Sequence, residues 1–258
     1  MIIAIHQPNY LPWLGYFYKI WASDIFVLHD NVEFTKQSFT KRVFIRKSAN
    51  STEATYLSVP LKKHSDFIFI KNLKISTEQN WQKSHLNKIY NTYHRAPFFN
   101  NYYPIISKTL LDSYLTESLA SLNKQLILDI LNILNIDSQI VMSSDLPLSG
   151  YRADEFNAAI VAHLGGSVYI SGTGAKKYQS ENTYLERHIA LMYNQIGKYL
   201  NSTPPQYPVH FMGNLSILDA LFYIGEKEIL NIFEQYFLMQ QKIEKLALKF
   251  HPDVNNGD

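Results

Sequence analysis

The chain has 258 residues, with 24 Lys or Arg against 22 Asp or Glu and a formal net charge of +2. That near-balance excludes a strongly basic nucleic-acid carrier and an acidic solvating tail, while 46% hydrophobic and 18% charged residues describe a folded globular chain able to bury a full core. With no cysteine, disulfides, zinc–thiolate and iron–sulfur centres and a cysteine nucleophile are excluded.

The first stretch, residues 1–75, opens on an apolar run at 2–5 that meets His6-Gln7-Pro8-Asn9, which predicts a buried strand entering a loop. Pro12 can start a helix, and apolar residues at helical spacing (Leu14, Phe17, Ile20, Trp21) carry it to Ala22. Residues 25–28 predict a second buried strand that delivers His29 and Asp30 at its end. Further strands are expected at 43–45, 56–59 and 68–75, the last because Leu73 and Ile75 alternate with Lys74. Residues 76–137 read as helical: Ser76 or Thr77 caps a helix through Trp81, His85, Ile89 and Tyr93, and Pro97 breaks it. A stripe of Leu115, Leu119, Leu122, Leu126, Ile130 and Leu134 then marks a core face. Residues 138–258 predict a strand at 139–142, a helix over 153–164 ended by Gly165-Gly166, and a strand at 167–170. A helix capped by Asn214 or Ser216 and stopped by Gly225 follows, then a last amphipathic helix over about 226–249 and a polar tail from His251.

Strands alternating with helices predict an α/β domain on a mainly parallel sheet. Residues 1–75 and 138–225 would form its core, 76–137 a helical insertion or cap, and 226–258 a C-terminal helix and tail. No basic leader and no cleavage site stand at the N-terminus, and no apolar run reaches membrane-spanning length, so a cytoplasmic location is expected.

Ligands of such sheets lie beyond the carboxyl ends of the strands, at the switch point. That rule selects three loops, at 6–16, 29–42 and 171–178. The first offers Gln7, Asn9, Tyr10, Trp13 and Tyr16 to hold a base or sugar, and Gly15 allows close backbone approach. His85 would line the same groove from the helical stretch. In the second loop, Asp30 could act as a base or hold Mg²⁺, while Arg42 could bind a carboxylate or phosphate by two parallel hydrogen bonds and Lys36 would add charge. His6 is the other candidate base. In the third loop, the small residues Ser171, Gly172, Thr173 and Gly174 expose backbone N–H groups, with Lys176, Lys177 and Tyr178 beside them. That composition suits the pyrophosphate of ATP or of a nucleotide sugar. The nine histidines show no zinc-ligand spacing, so no metal–histidine site is expected. The chain has no G-x-S-x-G elbow for a serine nucleophile. Scattered basic residues give no nucleic-acid stripe.

The run His6-Gln7-Pro8-Asn9-Tyr10-Leu11-Pro12-Trp13-Leu14-Gly15-Tyr16-Phe17, with Asp24, Phe26-Val27, Asp30 and Arg42, resembles the opening signature of the WbqC-like family. Trp81 with His85, Ser171-Gly172 with Tyr178, and Leu215-Ser216-Ile217-Leu218-Asp219 with Gly225 extend the resemblance over nearly the whole chain. It implies a bacterial protein of O-antigen and surface-polysaccharide gene clusters that places glycine or a related acyl group on the amine of a nucleotide-linked amino sugar. A second similarity, to HIGH-type nucleotidyltransferases and pantothenate synthetase, rests on the strand–turn–helix start and on Ile170-Ser171-Gly172-Thr173-Gly174-Ala175-Lys176-Lys177. It implies a HUP-type Rossmann-like sheet, ATP with Mg²⁺, no redox cofactor, and an acyl-adenylate. The two histidines of that motif fall at Trp13 and Tyr16 here. The alternatives are a nucleotidyltransferase and a non-catalytic partner protein in polysaccharide assembly.

Overall fold

Five apolar runs of four or five residues each find parallel neighbours. The computed structural model describes residues 1–78, 80–112 and 117–250; Leu115 of the expected helical stripe and the tail from His251 lie outside them. The central sheet comprises β1 (Ile2–His6), β2 (Ile25–Leu28), β5 (Gln139–Met142), β6 (Val168–Gly172) and β7 (Ala190–Asn194) in the order β5-β2-β1-β6-β7. Every pairing is parallel, with Ile3 opposite Ile25 on one side and Tyr169 on the other. The sheet is Rossmann-like, as the alternation of strands and helices predicts.

Its two faces follow the period of two along a strand. Ala4, Phe26, Leu28, Met142 and Ile170 join the larger core with α1 (Leu14–Trp21), α4 (Leu119–Leu134) and α8 (Ile217–Phe250). Ile3, Ile5, Ile25, Val27 and Tyr169 join a second core with α5 (Ala153–His163) and α6 (Glu181–Leu185). Strands buried on both faces read as continuous apolar runs, which is why β1 and β2 are plain in the sequence.

The interruption of the sheet begins earlier than residue 76. β3 (Arg42–Arg46) and β4 (Ala54–Ser58) form an antiparallel hairpin of their own, so everything between Asp30 and β5 is one excursion. The expected strand at 68–75 is a 3₁₀ turn at Ile70–Asn72 with single bridges at Phe69, Lys74 and Ile75. Leu73 and Ile75 are buried as their alternation requires. Their backbone is satisfied instead by the start of α4, through Leu119 N–H to Leu73 O and Ile75 N–H to Glu117 O. The helices of the excursion are α2 (Trp81–Tyr93), α3 (Phe99–Leu111) and α4. Asn80, rather than Ser76 or Thr77, caps α2. After β7, α7 (Ile196–Ser202) leads toward α8, two helical segments that meet at Gly225, where φ +75° takes the backbone out of the helical range as the expected stop there requires. An added Cβ would lie 3.2 Å from the Phe98 ring.

One buried ion pair ties the hairpin to α8. Arg46 is fully buried; its Nε and Nη2 donate to the two oxygens of Asp219 at 2.7 and 3.1 Å. The remaining guanidinium donors reach the carbonyls of Ser51 and His210. Tyr207 Oη also donates to Asp219, and the Arg46 guanidinium lies near the Tyr207 and Tyr223 rings. This network fixes the 207–216 segment that walls the cleft described next.

Candidate active site at the switch point of the sheet

Strand order reverses between β1 and β6, and a crevice opens beyond their carboxyl ends, as parallel α/β sheets generally arrange it. The 6–16 loop crosses this point under several constraints. Leu11 is held at φ +43°, a left-handed backbone that costs a non-glycine residue about 1 kcal/mol or more. Ser216 Oγ donates to Leu11 O, and Ile217 N–H to Pro12 O. On the other side the buried Asn123 of α4 donates to the carbonyls of Pro8 and Thr40. The helical excursion therefore braces the loop.

Two clefts meet at His6 and Trp13. The larger, about 620 Å³, is lined by Asn9, Tyr10, Phe39, Asn201 and Asn214 among others. The smaller, about 310 Å³, lies between Lys19, the turn Gly172, Thr173 and Gly174, and Lys198. The Trp13 indole separates the two lobes and rests on Gly15: a Cβ at residue 15 would fall 2.2 Å from the indole. Gly15→Ala should therefore expel Trp13 from the wall. The expected result is a shifted Trp13 fluorescence. An unchanged spectrum would show that the indole does not rest on residue 15.

The electrostatics of the junction are unusual. Lys19 is buried, donates to Ile5 O at 2.6 Å, and lies near the Phe26 ring. No carboxylate is bonded to its ammonium among the described residues, and burial pulls its pKa down to about 7. Burial, and then the Lys19 charge, pulls His6 down to about 3, so His6 is a neutral imidazole. Its ring packs against Tyr16 at 5.0 Å. Tyr16 donates to Gln7 O, and burial raises its pKa well above the usual range.

Three histidines share this behaviour, His29 and His85 buried and His6 half-buried. Burial lowers His29 to about 4 and His85 to about 4, beside His6 at about 3. An unfolded histidine titrates near 6.5. Between pH 6.5 and 4 the unfolded chain thus binds protons that the fold does not, and stability falls as pH falls. The expected slope is roughly 1.4 kcal/mol per pH unit for each histidine. Urea unfolding from pH 7 to 4.5 measures it, and a flat profile would contradict the burial of these rings.

The structure gathers part of the expected site. His6, Asn9, Tyr10, Trp13, Gly15, Tyr16, Gly172, Thr173 and Gly174 line the two lobes. Gln7 is turned to the loop itself, its side chain accepting from Thr40 Oγ1. Asp30 is occupied: its carboxylate accepts from Ser143 Oγ, Ser144 N–H and Ser144 Oγ, and so clamps the ends of β2 and β5 rather than facing either lobe. Arg42 donates to Gln37 O and stacks on Tyr56, and Lys36 is an exposed partner of Asp66. Ser171 is buried and donates to Gln179. Lys176 lies over the Tyr193 ring, Lys177 lines neither lobe, and Tyr178 is exposed. The lysines that do line the smaller lobe are Lys19 and Lys198, neither of which the loop argument selects. His85 is separated from the larger lobe by Tyr10, to whose hydroxyl its Nδ1 is hydrogen-bonded at 2.9 Å. Among the described residues no three His, Asp or Glu side chains converge as a metal cluster.

A parallel α/β sheet whose switch point opens into a two-lobed cleft is a Rossmann-like domain with a candidate ligand site. The chain belongs to the WbqC-like protein family, which it matches over residues 7–231. It is similar to "Uncharacterized protein Rv1507c" of Mycobacterium tuberculosis (strain ATCC 25618 / H37Rv), with 27% identity over 226 residues that cover 86% of this chain and 94% of the relative. The family supports a polysaccharide-related function in general. Among the described residues no helix is long and apolar enough to cross a membrane.

Proposed function

We propose that the chain forms an amide on the amine of a nucleotide-linked amino sugar, with glycine or a similar small acid as the acyl group. The observation that carries this reading is Lys19, a buried lysine among the residues that line the smaller lobe, whose pKa burial pulls down to about 7. The aromatic rings and side-chain amides of the larger lobe suit a nucleoside and sugar. The smaller lobe, with its glycine turn and Lys198, suits the anionic end of an activated acyl donor.

An amine attacks an acyl carbon only as the free base. In the proposed reaction the sugar nitrogen, held near His6, bonds to the acyl carbon and passes one proton to neutral Lys19 Nζ. The leaving group departs with the electron pair of its bond to the acyl carbon. A lysine near pH 7 in pKa is matched to that transfer. His6, at about 3, is too weak a base for it and serves as a neutral hydrogen-bonding wall. Lys198 and the Gly172, Thr173 and Gly174 backbone would stabilise charge on the leaving group.

The residues of the smaller lobe also fit the phosphates of ATP, which would supply acyl activation. Mg²⁺ would then come with the phosphates, since the described residues form no carboxylate cage for it. A thermal-shift panel tests the reading: ATP–Mg²⁺, UDP- and dTDP-amino sugars and glycine, alone and in pairs. A ligand at 100 times its Kd stabilises by about 2.7 kcal/mol. A shift with an amino-sugar nucleotide is expected; a shift with ATP–Mg²⁺ as well would place acid activation in this protein. No shift with any amino-sugar nucleotide would count against the substrate class.

A further inference from the structure

One nearly buried side chain of the larger lobe is unengaged. Asn9 is 7% exposed, and its carboxamide has no hydrogen-bond partner among the described residues. The amide is not sealed either. Asn123 Oδ1 is a partnerless atom with no accessible surface, but neither amide atom of Asn9 is, and Asn9 lines the larger lobe. The amide therefore opens into that lobe. Neighbouring amides serve the fold instead: Gln7 accepts from Thr40, Asn123 donates to the Pro8 and Thr40 carbonyls, and Asn194 donates to Gly15 O and accepts from Ile196 N–H. The backbone is pinned on both sides of Asn9, by Asn123 at Pro8 O and by the bond from Tyr10 N–H to Phe39 O. A carboxamide held in place, nearly buried and without a partner implies a ligand that supplies one.

Burial grades this lobe from its interior to its rim. Asn9 and Tyr10 are buried and His6 is half-buried, whereas Phe39, Asn201 and Asn214 are exposed. Among the described residues that line the lobe there is no Lys, Arg, Asp or Glu, and His6 is neutral. The lysines of the site, Lys19 and Lys198, line the smaller lobe. A diphosphate in the interior of the larger lobe would lose water and meet no cation, which is a costly exchange. A sugar ring fits better. Its hydroxyls call for neutral donors and acceptors, and a carboxamide offers both. Its C–H faces call for aromatic walls, and Tyr10 and Trp13 line the lobe.

We propose that the interior of the larger lobe selects the hexose ring of the amino sugar rather than its nucleotide, with Asn9 as the side chain that reads a ring hydroxyl. The inference rests on the amino-sugar reading for the identity of the ring, and adds which part of the molecule is recognised. The diphosphate then stays toward the rim, in water, and contributes little to affinity. A wall built to hydrogen-bond a hydroxyl discriminates strongly against an analogue that lacks it.

Binding is measured by calorimetry with neither acyl donor nor ATP present, so that no turnover is needed. The probes are UDP- and dTDP-linked 2-, 3- and 4-amino hexoses, each against UDP or dTDP alone. At least one amino-sugar nucleotide should bind at least tenfold more tightly than the nucleotide without its sugar. Asn9→Leu, similar in volume but without polar atoms, should abolish that advantage and leave the urea midpoint in place, because no bond within the fold is lost. The inference is overturned if UDP or dTDP binds as tightly as every amino-sugar nucleotide, or if Asn9→Leu keeps the advantage. A lower urea midpoint in Asn9→Leu would show the amide engaged within the fold and would also overturn it. If no amino-sugar nucleotide binds, it falls together with the substrate class. Incorporation of labelled glycine into the nucleotide sugar reads the reaction separately. Sugar binding that needs Asn9 without any amide product sustains this inference and removes the reaction; amide product with binding indifferent to Asn9→Leu does the reverse.

Discussion

Replacing Lys19 by Met is expected to cut turnover by about 10²- to 10⁴-fold, the usual contribution of a positioned proton acceptor, and at the same time to stabilise the fold. The two effects have one cause. Lys19 is buried with no carboxylate bonded to its ammonium among the described residues, and its pKa falls from 10.5 to about 7. Between those values the unfolded chain keeps a proton that the native chain has lost. The native state is therefore penalised as pH falls from 10.5 to 7, by about 1.4 kcal/mol per pH unit. Below pH 7 the penalty is complete. Methionine fills a similar volume without charge, so it removes the penalty and leaves only the Ile5 carbonyl without its donor, at a cost of about 1–3 kcal/mol. The variant should gain a few kcal/mol at pH 7 and the gain should shrink toward pH 10. In the parent chain, activity should rise with an apparent pKa near 7, and that step should vanish in the variant. A variant that is both inactive and less stable at pH 7 would show Lys19 to be a packing residue.

The second large effect belongs to the Arg46–Asp219 pair. Arg46→Met alone should destabilise by about 3–5 kcal/mol, because it leaves the Asp219 carboxylate buried with tyrosine hydroxyls as side-chain partners and no opposite charge beside it. Asp219→Leu alone should cost a similar amount by stranding the guanidinium. The double variant should recover most of the loss, since two apolar side chains need no mutual compensation. Urea midpoints of the four proteins close the cycle. Additive losses would mean that the pair holds nothing together. The pair also anchors the segment ahead of α8, so each single variant should lose affinity at the larger cleft, where Gly213 and Asn214 stand.

Much of the fold can be read from the chain because parallel strands buried on both faces leave uninterrupted apolar runs. β1, β2 and β6 are of that kind, and the odd composition of the 6–16 loop follows from what it must do. Leu11 is strained, Trp13 lies on Gly15, and Asn123 and Ser216 hold the carbonyls between them. β7 and α7 are harder to see: β7 is an edge strand with no fully buried residue, and it brings Lys198 to the site. The hairpin β3–β4 shows the same alternation whether it joins the main sheet or pairs with itself, so sequence pattern alone does not place it.

Side-chain roles are less legible, for a physical reason. A carboxylate at a strand end looks the same whether it faces a ligand or a neighbouring strand. Asp30 is spent on Ser143 and Ser144, which lie 113 and 114 residues away in the chain. Lys176 and Lys177 are close in sequence to the glycine turn but line neither lobe. Lys19 did leave a signal. It is the one charged residue of α1, in Leu14-Gly15-Tyr16-Phe17-Tyr18-Lys19-Ile20-Trp21, a helix buried along nearly its whole length. A charge with no polar face to occupy is either paired or functional, and among the described residues no carboxylate is bonded to Lys19, whose ammonium donates to Ile5 O.

The central claim is amide formation on a sugar amine, and it is tested by product mass. The purified chain would be incubated with isotope-labelled glycine, ATP–Mg²⁺ and UDP- or dTDP-linked amino sugars, with mass spectrometry of the nucleotide sugar. The expected result is label carried into an acid-stable product heavier by one glycine less water, absent with Lys19→Met. Nucleotide transferred into the product with release of pyrophosphate, or no label in any combination of amino sugar and donor, would contradict it.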